Sequence, residues 1–129
     1  MKPEPYLATE YTLYSQGIDA AYEMACAAAG RFYRHKIPVY SPIAHCHGIA
    51  KHGQLDALDA KFWLDMHATA MNRCDGLIVW QTPGWKKSFG IKTEIEEFQR
   101  QNKPIVHLDP DDFTIDHFKE FAREHGWEF

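Results

Sequence analysis

The chain has little cysteine, no long apolar run and no surplus of basic residues, and each shortage removes a class of function. Its strongest hydrophobic stretch, Gly76-Leu77-Ile78-Val79-Trp80, falls far short of the roughly 20 residues needed to cross a bilayer. The opening Met1-Lys2-Pro3-Glu4-Pro5 lacks the apolar segment of a secretory leader, so a soluble, cytoplasmic protein with no membrane partner is expected. Three cysteines, Cys26, Cys46 and Cys74, are an odd number at unrelated spacings and read as reduced thiols rather than a disulfide framework. Lys and Arg number 14 against 18 Asp and Glu, giving a net charge of −4 with no basic run. That balance argues against a nucleic acid polymer held by phosphate neutralisation.

What is present suffices for one core and excludes two full domains: 129 residues, 45% hydrophobic and 14% aromatic, read as a single domain over 1–129. Short apolar runs alternate with helical patterns, which predicts an α/β domain with a mainly parallel, doubly wound sheet of four to five strands. Strands are expected at about Pro5 to Thr9, Ile37 to Tyr40, Gly76 to Trp80 and Pro104 to Leu108. Trp127-Glu128-Phe129 reads either as a short edge strand or as a terminus docked on a neighbouring subunit.

A first helix is expected from a cap near Ser15, with Ile18, Tyr22, Ala25, Ala29 and Phe32 recurring at helical spacing. Others follow at about Leu55 to Asn72, Gly90 to Gln101 and Thr114 to Glu124, the last ended by Gly126. Ser41 to Gly53 and Gln81 to Ser88 read as long loops. In such sheets ligands bind at the carboxyl ends of the strands, where strand order reverses. The segments beginning at Thr9, Ser41, Gln81 and Asp109 are therefore where a site is expected.

Glu94 is the first chemical candidate. With Ile91, Ile95 and Phe98 as the buried stripe it shares their side, while Glu96 and Glu97 point away. In the first turn of a helix the dipole would favour its ionised form, suited to a nucleophile or base. The competing reading is a capping box over Thr93-Glu94-Ile95-Glu96. Asp65 lies in the middle of a face made by Leu55, Leu58, Phe62, Met66 and Thr69, where its pKa would be raised. A second stripe of Trp63, His67, Ala70, Met71 and Cys74 would instead turn His67 inward.

Gly84-Trp85-Lys86-Lys87-Ser88-Phe89-Gly90 combines glycines, a hydroxyl and a helix start, the parts of an anion site. His45, His47 and His52, with Cys46, crowd one segment but do not match structural zinc spacings; no metal and no cofactor is expected, and loop imidazoles that hydrogen-bond a ligand or the backbone are the simpler account. Asp109, Asp111 and Asp112 read as a turn before a helix rather than a Mg²⁺ site.

Taken together, Tyr6-Leu7-Ala8 followed by a hydroxyl residue, Tyr40-Ser41-Pro42-Ile43, Cys74-Asp75-Gly76-Leu77-Ile78-Val79, and Gly84-Trp85-x-x-Ser88-x-Gly90-x-x-x-Glu94 resemble the nucleoside 2-deoxyribosyltransferase-like superfamily over about residues 6–108. Within it the chain is most similar to a poorly characterised bacterial and phage branch, and the Ser-x-Gly-x-x-x-Glu spacing is also similar to that of deoxynucleoside 5′-monophosphate N-glycosidases. The resemblance implies a flavodoxin-like sheet, homo-oligomers, and an N-glycosidic bond hydrolase or deoxyribosyltransferase that takes a nucleoside or nucleotide. It implies Glu94 as nucleophile at C1′, a nearby acid (Asp65 or His67), and Ser88 at the 5′-phosphate, with Thr9, Tyr11, His45, Gly84, Trp85 and Gly90 around the substrate. The chemistry would be that of retaining glycosidases.

Two departures stand out: Thr9-Glu10 replaces the Gly-Pro or Ser-Pro of relatives, and His67 stands where relatives tend to carry an aspartate. They keep open a non-catalytic nucleotide-binding or sensing module on the same fold. A metal-dependent hydrolase built on His45, His47 and His52 is a third reading. Trp63, Trp127 and Phe129 are the local candidates for self-association.

Overall fold

The computed structural model describes residues 1–129, and in it the apolar runs of the sequence form a parallel sheet. β1 (Tyr6–Ala8) pairs with β2 (Leu77–Trp80), which pairs with β3 (Ile105–Leu108). Five helices surround them: α1 (Ile18–Tyr33), α2 (Pro42–His52), α3 (Ala60–Arg73), α4 (Phe89–Arg100) and α5 (Ile115–Glu124).

Side chains alternate across each strand, so the core divides in two. On one face Tyr6, Ala8, Leu77 and Val79 pack with Ala70 and Met71 of α3, Cys74, and Ile91 and Phe98 of α4. On the other, Leu7, Ile78, Trp80 and Leu108 pack with Ala28 and Phe32 of α1 and Phe118 of α5. A sheet covered on both faces explains why β2 reads as an unbroken apolar run. The result is an α/β arrangement compatible with a flavodoxin-like fold.

Three strands form the ladder, not the four to five expected. Ile37 to Tyr40 runs beside β1 but pairs only through a single parallel bridge, Tyr6 to Tyr40. Pro38 has no N–H to donate, so the segment cannot build a ladder on that edge. Trp127-Glu128-Phe129 is no strand either. Trp127 and Phe129 pack on the α1/α5 side of their own chain, and a Cβ at Gly76 would lie 2.6 Å from the Trp127 ring. Trp63 is likewise buried among Ala25, Ile43, Cys46 and Ala50. Trp63 is thus taken up by its own chain, whereas Trp127 and Phe129 are only half-buried.

The segment Ser41 to Gly53 is helix α2 rather than a loop. Ser41 Oγ accepts the Ala44 N–H at 3.2 Å, and Pro42 occupies the first helical position, where its missing N–H costs nothing. Helix α3 starts at Ala60, later than Leu55, because Asp59 caps it by accepting from Phe62 N at 3.2 Å. Helix α1 begins after Gly17 rather than at Ser15. After α5, Gly126 adopts φ +73°, a left-handed conformation suited to ending a helix there. None of the three cysteines is paired, and no helix is long and apolar enough to cross a membrane.

Candidate functional site

Tyr6, the first residue of β1, is its one polar side chain, and it is fully buried. A buried phenol needs a partner, and its O–H donates to Glu94 Oε2. Glu94 reaches that position from α4, which starts one residue after Ser88. Ser88 Oγ accepts the Ile91 N–H at 3.2 Å, and helical spacing then places Ile91, Glu94 and Phe98 on the buried side.

This start corrects the expected capping box, since Thr93 lies inside the helix and its hydroxyl donates back to Phe89 O at 2.9 Å. It also moves Glu94 into the second turn, away from the strongest part of the helix dipole. Burial decides its charge: only 5% exposed, Glu94 has its pKa pushed up to about 8, with the Tyr6 hydroxyl opposing that rise.

Glu94 lines a cavity of about 270 Å³ between the end of β1, α2, α3 and the start of α4. Its apolar walls include Leu13, Ile43, Trp63, Leu64 and Phe89. Its polar lining includes Thr9, Tyr11, His67 and Ser88, and no Lys or Arg takes part. Two buried polar atoms there have no hydrogen-bond partner, Thr9 Oγ1 and His67 Nε2. Native interiors rarely leave such groups unmatched, and both residues line this cavity. Burial, and after it the charge of His45, lowers the His67 pKa to about 4, so this imidazole is neutral at physiological pH.

The structure settles which stripe of α3 faces inward. Trp63, His67, Ala70 and Met71 are buried, whereas Phe62 and Met66 are exposed, as is Asp65 between them; Leu58, also exposed, precedes the helix. Of the sequence-predicted site residues, the cavity brings together Glu94, His67, Thr9, Tyr11, Ser88 and Gly90. Asp65 instead lines a wide, shallow groove with Lys61, Thr93 and Glu97. Trp85 is half-buried against the α4 side of the core, its ring 5.4 Å from that of His107. His45 is exposed, its ring 5.8 Å from that of Tyr40.

Gly84 lies outside the cavity, at the surface beside the buried Glu10. It adopts φ +97°, and a Cβ there would stand 2.8 Å from Glu10 Oε1, while Glu10 Oε2 accepts from the Thr82 hydroxyl. Glu10 is thereby sealed away from the cavity that Thr9 enters.

The three clustered histidines do not converge. His45 and His52 are exposed, and His47 is buried in a separate network: Nδ1 is 2.7 Å from the Tyr11 hydroxyl, Nε2 is 3.0 Å from Asp19 Oδ1, and the ring stacks on Tyr22 at 4.6 Å. No group of three or more His, Cys, Asp or Glu side chains is arranged to hold a metal ion. Sequence reasoning missed Tyr6 as the partner of Glu94 and His47 as the partner of Tyr11. For Tyr6 a signal existed, since a hydroxyl within an otherwise apolar strand demands an acceptor.

Residues 4–109 match the family described as a domain of unknown function, DUF1937, and the chain belongs to that family. Every residue lining the Glu94 cavity falls within the match, which ends just after β3. No curated protein matches the chain.

Proposed function

We propose that this DUF1937 member cleaves or transfers across the N-glycosidic bond of a nucleoside or nucleotide, with Glu94 as nucleophile. The observation that carries the reading is a buried carboxylate on a cavity wall, held by the Tyr6 hydroxyl, in a cavity where Thr9 Oγ1 and His67 Nε2 stand without partners. A volume of about 270 Å³ lies at the small end of ligand cavities, which span roughly 300–1,000 Å³, and fits one nucleoside-sized molecule better than a dinucleotide.

In this reading the Glu94 carboxylate attacks C1′, the C1′–N bond breaks with its electrons going to the base, and the base takes up a proton. Water or a second base then displaces the glutamyl ester. Positive charge developing on the sugar favours ionised Glu94, and the Tyr6 O–H supports the same form. His67 Nε2 serves to hydrogen-bond the base. Ser88, with the N–H groups that open α4, meets the 5′ end, where a phosphate would suit the helix N-terminus.

The test is incubation with a panel of deoxynucleosides and their 5′-monophosphates, followed by chromatography for free base. Release that Glu94→Ala reduces to background, with the variant still folded, is the expected result. No base above the blank for any member of the panel would overturn the catalytic reading.

One observation favours a second reading, a binding module without turnover. With its pKa near 8, Glu94 keeps its proton at neutral pH in the free cavity. That reading predicts thermal stabilisation by nucleosides or nucleotides with no base released.

A further inference from the structure

We propose that Tyr11, His47 and Asp19 form a proton relay that gives a proton to the departing base in the Glu94 cavity and recovers it from the attacking water. The inference rests on the N-glycosidic reading above and adds to it the source of the leaving-group proton, which neither Asp65 nor Glu94 supplies in this arrangement.

The three groups form one line. Asp19 stands in the first turn of α1 with its side chain 82% exposed, and its Oδ1 lies 3.0 Å from His47 Nε2. His47 is buried on α2, and its other nitrogen, Nδ1, lies 2.7 Å from the Tyr11 hydroxyl. Tyr11 in turn lines the cavity. The groups facing His47 are the Tyr11 hydroxyl, the Asp19 carboxylate and the Tyr22 ring, which stacks on the imidazole at 4.6 Å and keeps it in plane.

The chemistry follows from the acceptor at the outer end. Asp19 accepts from Nε2–H, so a neutral His47 presents a bare Nδ1 and the Tyr11 O–H is turned towards it. Solvent entering the cavity gives a proton to Tyr11 while Tyr11 passes its own to Nδ1; Asp19 compensates the resulting imidazolium, and Nδ1–H donates to the Tyr11 oxygen. The Tyr11 hydrogen is then free to point into the cavity. As the C1′–N bond breaks and its electrons pass to the base nitrogen, Tyr11 gives that nitrogen its proton and receives one from His47 Nδ1. His47 is left neutral and no charge remains on the phenol. In the second half, attacking water gives its proton to Tyr11 while Tyr11 passes its own back to Nδ1, so the network ends as it began. Tyr11 is the catalytic residue in this scheme; His47 and Asp19 are positioning residues that act through it.

The test compares bases that need a proton to leave with matched bases that need little or none: a parent purine against its 7-methylpurine counterpart, or a parent pyrimidine against its 5-fluoro derivative. Tyr11→Phe is expected to lose roughly a hundredfold in kcat on the parent base, in line with general acid catalysis, but less than about fivefold on the activated one. Asp19→Asn, at an exposed position, is expected to lose about tenfold on the parent base alone. Glu94→Ala should lose both.

Equal losses on the two members of a pair would make the network merely structural and overturn the relay while leaving the glycosidase reading intact. An Asp19→Asn variant with unchanged activity on the parent base would also overturn it. If the wild-type protein releases neither base, the function proposed above fails and the relay with it.

Discussion

Two glutamates are equally hidden in this molecule, Glu10 at 3% exposure and Glu94 at 5%, and each accepts a hydrogen bond from one hydroxyl. Their surroundings differ. Glu10 is wedged against the backbone at Gly84 and takes the Thr82 hydroxyl, so its carboxylate ties the end of β1 to the loop after β2. Glu94 has Tyr6 on one side and open cavity on the other. Burial alone therefore does not mark a functional carboxylate. The informative feature is burial beside a space that other unsatisfied polar groups share.

The largest test of that contrast is Glu94→Gln, which keeps the shape of the side chain and the acceptor for Tyr6. In the folded protein the Glu94 pKa is about 8, well above the ordinary value of 4.5. Below pH 4.5 both folded and unfolded chains hold the proton, and nothing is lost. Between 4.5 and 8 the unfolded chain releases it while the folded one keeps it, so stability falls as pH rises; above 8 the full penalty is in place. Glu94→Gln removes this slope. Urea unfolding should show the variant more stable than wild type by a few kcal/mol (~3) at pH 9, with the difference vanishing near pH 4.5. A flat difference across that range would mean that the carboxylate is not held protonated. Glu10→Gln, which keeps the Thr82 contact, should leave base release unchanged.

Gly84→Ala probes the other member of the pair. A side chain there meets both a left-handed φ of +97° and the Glu10 carboxylate at 2.8 Å from the new Cβ. The cost expected from the two together is about 2–3 kcal/mol of stability. Since Gly84 does not line the Glu94 cavity, ligand affinity measured on the folded fraction should stay within about twofold of wild type. A large loss of affinity would join the two regions that the geometry separates.

Tyr6→Phe is the subtler perturbation. It removes the one donor that favours ionised Glu94 and leaves the ring, which packs 5.5 Å from Phe98, in place. For a nucleophile that must be ionised, kcat/KM should rise with pH through about 8 in the wild type. Without the phenol that limb should move roughly one unit to higher pH, with about a tenfold loss at pH 7. A limb that stays in place would detach it from Glu94.

How much of this was legible in the sequence depends on the range of the interactions involved. The inward turn of Glu94 on α4 followed from the stripe Ile91, Ile95 and Phe98 alone, because helical spacing is local. The cap did not: Thr93-Glu94-Ile95-Glu96 matches a capping pattern as well as Ser88 does, and only the loop ending at Ser88 decides between them. Ser41 to Gly53 read as a loop although Ser41-Pro42 is a helix start, because the polar crowding of His45, His47 and His52 hid the periodicity of α2. On α3 two stripes were equally plausible. The choice of Trp63 and His67 over Phe62 and Asp65 comes from what the sheet and α2 offer as partners, which no local pattern contains. The same holds for Tyr6 with Glu94, 88 positions apart. Pro38 was a visible warning against a full strand from Ile37 to Tyr40.

The smallest expected effect concerns the helix that carries Glu94. Ser88 Oγ accepts the Ile91 N–H at 3.2 Å, so Ser88→Ala removes a cap and should cost about 1 kcal/mol, whereas Ser88→Gly should cost only a few tenths. Neither change alters the burial that sets the state of Glu94, so any shift in the pH limb should be slight. The ligand provides the sharper reading. If the 5′ end sits at this helix start, Ser88→Ala should raise KM for a 5′-monophosphate several-fold and leave the parent nucleoside nearly untouched, because only the phosphate would use the lost hydroxyl. Equal effects on both would place the 5′ end elsewhere and reduce Ser88 to a cap, a structural part like the Thr82 hydroxyl that serves Glu10.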